Sequence, residues 1–144
     1  MKAQSGLITG FDYGTSNCAL GSINQEVITP IQLQKNSRYL PSLVHAETRD
    51  NIVEFVATHL QGTALQVYQS ERLPQLRNAT HYRQEQGIPI NEPLVHFGAA
   101  AMDEYIQAPE EGFFAKSPKS FLGATGLSAQ HLSFFEDVVT AMML

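Results

Sequence analysis

The feature that most constrains the fold is a short run of glycine, acidic and hydroxyl residues near the N-terminus. It has the sequence GFDYGTSN over residues 10–17, and it lies between two apolar segments, LITGFD at 7–12 and NCALGSI at 17–23. Apolar segments of this length that are separated by turn residues predict two strands joined as a hairpin. The chain is therefore expected to turn sharply just after an acidic residue, Asp12.

The residue types in this turn are suited to binding phosphate. Gly14 has no side chain that could keep a phosphate away from the backbone. The amides of residues 14–17 and the hydroxyls of Thr15 and Ser16 can donate hydrogen bonds to phosphate oxygens. Asp12 can hold Mg²⁺ through the waters of the ion, which gives up its hydration reluctantly. The hairpin turn is thus a candidate site for phosphate and metal.

Two common phosphate-binding motifs are excluded by their spacing. The dinucleotide fingerprint G-x-G-x-x-G opens a helix, and the P-loop has the form G-x-x-x-x-G-K-[ST]. The glycines here are spaced differently, and the loop leads into NCALGSI, which has the composition of a strand. The expected geometry is a strand, a phosphate-binding turn and a second strand.

The rest of the chain predicts further strands and helices around this hairpin. A tight turn at Asn24-Gln25 leads into a third strand, in which Pro30 predicts an edge or a bulge. Pro74 predicts a break in the helical segment that contains it. The remaining predicted strands are 27–33, 42–46, 51–56 (NIVEFV), 94–98 and 113–115, and the predicted helices are 64–86, 99–107 and 128–144. The segment 47–93 is polar overall and predicts a peripheral, partly helical insertion.

The last predicted helix has an apolar face and lacks the residues that usually end a helix. Either Ser128 or Ser133, the latter with Glu136 three residues on, can cap its start. We therefore expect residues 1–144 to be the N-terminal part of a longer domain. We also expect this part alone to self-associate through residues 128–144, because the apolar face has no evident covering. The residues predicted to make this contact are Leu132, Phe135, Val139 and Met142.

Composition narrows the class of protein. Nine Lys and Arg stand against fourteen Asp and Glu, and no segment concentrates basic residues, so nucleic-acid binding is not expected. No apolar run approaches the roughly 20 residues of a membrane helix. The single cysteine, Cys18, excludes an intramolecular disulfide and is expected to be a small buried residue. These features predict a soluble, cytoplasmic protein without nucleic-acid or membrane partners.

Four segments in order carry a resemblance to a known family. GFDYGTSNCALG resembles the first phosphate motif of the Hsp70, actin and sugar kinase superfamily. The next two, LPSLVHA at 40–46 and HFGAAAMDEYIQAPEE at 96–111, resemble segments that follow it in Hsp70 proteins. KSPKSFLG at 116–123 resembles the Hsp70 lysine loop, with Lys119 three residues before Leu122. The chain is most similar to the short bacterial Hsp70-like group typified by YegD, and only about 47–93 lacks a match.

The resemblance implies an α/β fold, namely an RNase H-like (actin-like ATPase) lobe with a mixed sheet, flanking helices and an incomplete first lobe. It implies ATP or ADP and Mg²⁺ as ligands, with client proteins or co-chaperones as partners. By the same likeness Asp12 lies at the metal and takes part in catalysis, and Lys119 stabilises the γ-phosphate. The residues expected to contact phosphate are Gly14, Thr15, Ser16 and Asn17. The intact protein is expected to hydrolyse ATP, and residues 1–144 alone to be inactive.

Alternatives remain open at this point. A bacterial actin-like filament protein and a small-molecule kinase share the phosphate loop, but they lack a counterpart of KSPKSFLG. Lys116 is a rival to Lys119 for the catalytic role. The second phosphate loop and the adenosine motif of the superfamily have no counterpart in this sequence, and Tyr13 replaces the aliphatic residue usual before the glycine.

Overall fold

A computed structural model describes residues 8–24 and 26–144 of the protein. This part of the chain has a mixed α/β architecture with seven strands, five α-helices and one 3₁₀ turn. The strands are β1 (Ile8–Tyr13), β2 (Asn17–Asn24), β3 (Val27–Ile31), β4 (Tyr39–Pro41), β5 (Leu43–Ala46), β6 (Val95–Phe97) and β7 (Phe113–Lys116). The helices are α1 (Arg49–His59), α2 (Gly62–Glu71), α3 (Leu73–Gln86), α4 (Gly98–Gln107) and α5 (Ala129–Met143), and the 3₁₀ turn is Pro118–Phe121.

The first sheet contains the predicted hairpin. Strands β1, β2 and β3 are neighbours in that order, and all are antiparallel. Strand β4 pairs with the N-terminal part of β2. The β1–β2 register ends with Tyr13 opposite Cys18, so the hairpin closes just before Gly14. The turn between β2 and β3 includes Glu26, whose φ of 68° is left-handed, while Gln25 lies outside the described residues. Pro30 lies in β3, an edge strand of the described sheet, so that prediction is confirmed.

The second sheet has the order β6–β5–β7, and both of its pairings are antiparallel. Strand β5 is buried along its whole length and forms the centre of the core with α1 and α5. The single mixed sheet expected from the sequence is therefore not found in the described part of the chain. In the first sheet the reason is that short connections join consecutive strands, whereas a parallel pair needs a crossover of a dozen or more residues. Ser42 is the one residue between β4 and β5, and the chain changes sheets there.

The strand predicted from NIVEFV is wrong, because these residues belong to helix α1. Thr48 caps the helix through Oγ1, which accepts from the Asn51 amide at 3.2 Å. Asn51 Oδ1 in turn accepts from the Thr48 amide at 3.1 Å, so two amides at the helix start are satisfied reciprocally. The buried apolar side chains then follow helical spacing, and they are Ile52, Val53, Val56 and Ala57.

The segment from 47 to 93, predicted to be partly helical, contains helices α1, α2 and α3. It breaks between α2 and α3 just before Pro74. Its helices differ in burial. Helix α1 lies in the core, so this part of the segment is not peripheral. Helix α2 has no buried residue, and only Ala79 and Arg83 are buried in α3. Helices α2 and α3 therefore cover the core with few apolar contacts.

Ser128 caps the start of helix α5, and its Oγ accepts from the His131 amide at 3.3 Å, whereas Ser133 is inside the helix. The apolar face of α5 packs against α1 and the 3₁₀ turn. Val139 and Met142 are only 7% and 6% exposed, so they are already covered within this chain. Self-association through α5 stays a prediction, and it would require these two side chains to leave the core. None of the helices in the described ranges has the length and apolar character needed to cross a membrane.

A buried carboxylate joins α5 to α2. Asp137 is 4% exposed, and its oxygens accept from Arg72 Nε and from the Tyr68 hydroxyl, each at 2.9 Å. Burial, together with the neighbouring Asp137 carboxylate, raises the pKa of the Tyr68 hydroxyl. A second pair joins α3 to α1, with Arg83 Nε 2.9 Å from both carboxylate oxygens of Glu54. These polar contacts attach two helices that bury little apolar surface.

We predict that Asp137→Ala lowers the free energy of unfolding by about 3 kcal/mol, because the half-buried guanidinium of Arg72 and the Tyr68 hydroxyl both lose their partner. Urea denaturation followed by circular dichroism measures this. The matched control is Glu136→Ala, which removes the neighbouring, exposed carboxylate. Equal stability of the two variants would show that the contacts of Asp137 do not hold α2 in place.

Candidate functional site

The candidate site is the tip of the β1–β2 hairpin, residues 14–17. The amide of Gly14 donates to the carbonyl oxygen of Asn17 at 3.1 Å, which closes the turn with Thr15 and Ser16 at its tip. A Cβ on Gly14 would collide with that same carbonyl oxygen. The turn itself thus requires glycine at this position, in addition to the access that glycine gives to the backbone.

The polar side chains of the hairpin line a shallow concavity of about 360 Å³. Asp12, Thr15, Ser16 and Asn17 are all exposed, and Gly14, Ala19 and Tyr39 complete the lining. Within residues 8–24 and 26–144, the side chains of these four exposed residues make no recorded hydrogen bond to protein. Two hydroxyls, a carboxylate and an amide are therefore free to contact a ligand at one place.

Lys119 reaches this hairpin from the other end of the chain. Its Nζ donates to the carbonyl oxygen of Tyr13 at 2.7 Å and lies 5.8 Å from the centre of the Tyr13 ring. The lysine belongs to the 3₁₀ turn that follows β7, and Ser117, with a left-handed φ of 54°, starts that turn. The structure thus places a cation beside the residue that precedes Gly14.

Lys116, the rival of Lys119 in the sequence, is the last residue of β7 and pairs with Leu43. Among the described residues, the side chain of Lys116 makes no hydrogen bond or ion pair with the hairpin. Of the two lysines, the structure brings Lys119 to the other candidate residues.

Ser42 contacts the turn of the hairpin from the protein interior, and the sequence pattern did not identify it as a site residue. This residue is 1% exposed, and its Oγ donates to the carbonyl oxygen of Gly14 at 2.7 Å. Its amide donates to the carbonyl of Ser16 at 2.9 Å, and its own carbonyl accepts from the Ser117 amide at 2.9 Å. The one available signal was a polar residue directly before a buried apolar strand, at the Pro-Ser pair of LPSLVHA.

Tyr13 and Cys18 form the inner side of the hairpin. Cys18 is fully buried in the core, as expected for a small apolar residue. The Tyr13 ring is partly buried, and burial, with a smaller contribution from the Cys18 thiol, raises the pKa of Tyr13 to about 12. At physiological pH the hydroxyl of Tyr13 is neutral, so it places no negative charge beside Lys119.

A second concavity of about 480 Å³ adjoins the first on the same face of the sheet. The two share Asp12, Ala19 and Tyr39. The second is lined by Gly10 and Gly21, which pair with each other, by Ala19, which pairs with Asp12, and by Arg38. The surface beside the polar tip is therefore open and mainly apolar.

The carboxylate of Asp12 is the acidic group in the concavity at the hairpin tip. Over the described residues, no group of three or more His, Cys, Asp or Glu side chains is arranged to hold a metal ion. One exposed carboxylate fits a largely hydrated Mg²⁺ that is also bound by a ligand's phosphates, and it does not fit a site in which protein groups alone surround the ion.

Comparison with known proteins adds no family to this description. No protein-family model matches the chain, and no solved structure matches it.

We predict that Gly14→Ala destabilises the protein by about 2 kcal/mol, since the added methyl group must displace the Asn17 carbonyl. The matched control is Gly10→Ala in β1, where a Cβ meets no atom within 4 Å. That control is expected to be neutral or slightly stabilising, because glycine weakens a strand. Urea denaturation compares the two, and equal stabilities would contradict the tight turn at Gly14.

Proposed function

We propose that this chain contributes the first phosphate-binding loop of a magnesium-dependent ATPase of the Hsp70-like class. The observation that carries the proposal is the hydrogen bond from Lys119 to the carbonyl of Tyr13. It joins a cation from the KSPKSFLG segment to the hairpin that carries Asp12, Thr15 and Ser16. A carboxylate, hydroxyls and backbone amides line one concavity, and an ammonium group is bonded to the hairpin beside it. Together these groups suit the phosphates of a nucleotide with its metal ion.

Each group has a separate task in this proposal. The hydroxyls of Thr15 and Ser16 and the amides of the turn donate to phosphate oxygens. Asp12 holds Mg²⁺ through its waters, and the ion neutralises charge on the phosphates when it is bound. None of these side chains has to break a recorded protein hydrogen bond first, so little rearrangement precedes binding.

Lys119 is proposed to stabilise the charge that develops on the γ-phosphate. An ammonium group has three N–H donors, and one of them is used by the Tyr13 carbonyl. The other two are available to phosphate oxygens while the carbonyl contact keeps Nζ in place. Positioned positive charge is the main requirement of phosphoryl transfer, since the protein forms no covalent bond in it.

The fold family, the location in the cell and the chaperone role are also part of the proposal. The two antiparallel sheets and flanking helices are proposed to form part of an RNase H-like lobe, with the adenosine contacts supplied by other residues of the intact protein. The protein is proposed to act in the cytoplasm as a chaperone-type ATPase with client proteins or co-chaperones. The lysine segment favours this assignment over an actin-like filament protein or a sugar kinase, because the resemblance at KSPKSFLG is to Hsp70 proteins alone.

We predict that the intact protein binds ATP in the presence of Mg²⁺ and hydrolyses it slowly with water as the acceptor. Isothermal calorimetry with and without Mg²⁺, and phosphate release without added sugar, test both parts. Asp12→Asn should weaken the magnesium-dependent part of the affinity, whereas Asp103→Asn on α4, outside the concavity, should not. Absence of ATP binding by the intact wild-type protein would refute the proposed function.

We predict that Lys119→Ala lowers kcat on the order of 100-fold, the usual effect of removing one donor to a developing charge, with a much smaller change in affinity. Lys116→Ala is the matched control and should behave like the wild type. Single-turnover kinetics with bound ATP measure the chemical step directly. A slow Lys116→Ala variant beside an unaffected Lys119→Ala variant would assign the role to the other lysine.

A further inference from the structure

We propose that Ser42 is a positioning residue that sets the direction of the phosphate-binding amides and their distance from Lys119. This role rests on the proposed function, and it concerns a residue outside the concavity itself. Ser42 is buried at the single-residue joint between β4 and β5, and it does not line the concavity. Any effect of Ser42 on a bound phosphate therefore passes through the hairpin or through the segment that carries Lys119.

Two hydrogen bonds from Ser42 fix two carbonyls of the turn. Its Oγ donates to the Gly14 carbonyl at 2.7 Å, and its amide donates to the Ser16 carbonyl at 2.9 Å. The peptide bonds of the turn are trans, and in a trans peptide the C=O and the N–H of the next residue point in nearly opposite directions. The amides of Thr15 and Asn17 are consequently turned away from Ser42 and the buried side of the loop.

The hydroxyl of Ser42 is itself oriented by Cys18. Its Oγ lies 3.5 Å from the Cys18 Sγ, and both side chains are buried. A serine hydroxyl has one proton, which is used at the Gly14 carbonyl, so in this contact the thiol donates to Oγ. The chain of donors runs from Cys18 through Ser42 to Gly14, and it holds the carbonyl of Gly14 toward the interior.

The carbonyl of Ser42 performs the corresponding task for the lysine. It accepts from the Ser117 amide at 2.9 Å, and Ser117 begins the turn that carries Lys119. One buried residue thereby holds the hairpin through its two donors and the lysine segment through its acceptor. A displacement of Ser42 would change the spacing between the amides of the turn and Nζ of Lys119.

The test compares Ser42→Ala, Ser42→Thr and Ser70→Ala in the intact protein. Ser42→Ala removes only the Oγ contacts, and we expect kcat for ATP hydrolysis to fall on the order of tenfold with little change in KM, since misplaced donors are felt most in the transition state. Ser42→Thr keeps the hydroxyl and should recover most of kcat. Ser70 is the control, because its hydroxyl also donates to a backbone carbonyl, that of Val67, at 2.8 Å.

A measurement on the wild-type protein covers the case in which Ser42→Ala fails to fold. Amide hydrogen exchange with and without Mg²⁺-ATP should show protection of Thr15 and Asn17 when nucleotide is bound. Unchanged kcat in Ser42→Ala, or no added protection at these two amides while ATP is bound and hydrolysed, would overturn the role of Ser42 alone. A wild-type protein that binds no ATP would overturn the proposed function and this role together.

Discussion

The hydrogen bond from Ser42 to the carbonyl of Gly14 is the contact on which the arrangement of the candidate site depends. The hairpin belongs to a sheet whose β1 and β3 are largely exposed, so packing alone gives its tip little support. Strand β5, in contrast, is buried along its whole length. Because Ser42 directly precedes β5, the bond transmits the rigidity of the core to an exposed turn. Ser117 is tied to the same residue, so the loop and the lysine segment share one buried support.

A different kind of contact holds helices α2 and α3, which lie between β5 and β6 in the sequence. Helices α2 and α3 bury almost no apolar side chain, and the pairs Arg72–Asp137 and Arg83–Glu54 attach them instead. Such pairs contribute modestly to stability relative to apolar packing, but removing one partner is costly. Arg83 also donates to the carbonyls of Pro89 and Glu92, which fixes the chain that leads into β6. The polar composition of this segment thus reflects specific buried contacts as well as exposed surface.

The sequence was sufficient to predict those features that depend on residues close together in the chain. The hairpin, the edge position of Pro30 and the break at Pro74 follow from local turn and strand chemistry. Helix α1 was misassigned because the apolar run NIVEFV fits either period, and the decisive cap uses Asn51 where Glu or Gln is the usual partner. Strand β4 has three residues and depends on pairing with β2, which no local pattern reveals.

The contacts of Ser42 join residues that are distant in sequence, and for the same reason they could not be predicted. The RNase H-like assignment and the roles of Asp12 and Lys119 stay predictions.

The contact between Lys119 and Tyr13 spans 106 positions, whereas the β1–β2 hairpin closes over a few residues. Closure of long loops is slower than local pairing, so we expect the β1–β2 hairpin to form before the contact between Lys119 and Tyr13. During synthesis the hairpin leaves the ribosome well before residue 119, because the chain emerges from its N-terminus. In a nascent chain the turn at residues 14–17 is therefore present before Lys119 is. The candidate site is complete only when the 3₁₀ turn after β7 contacts the hairpin, so its geometry depends on the finished fold.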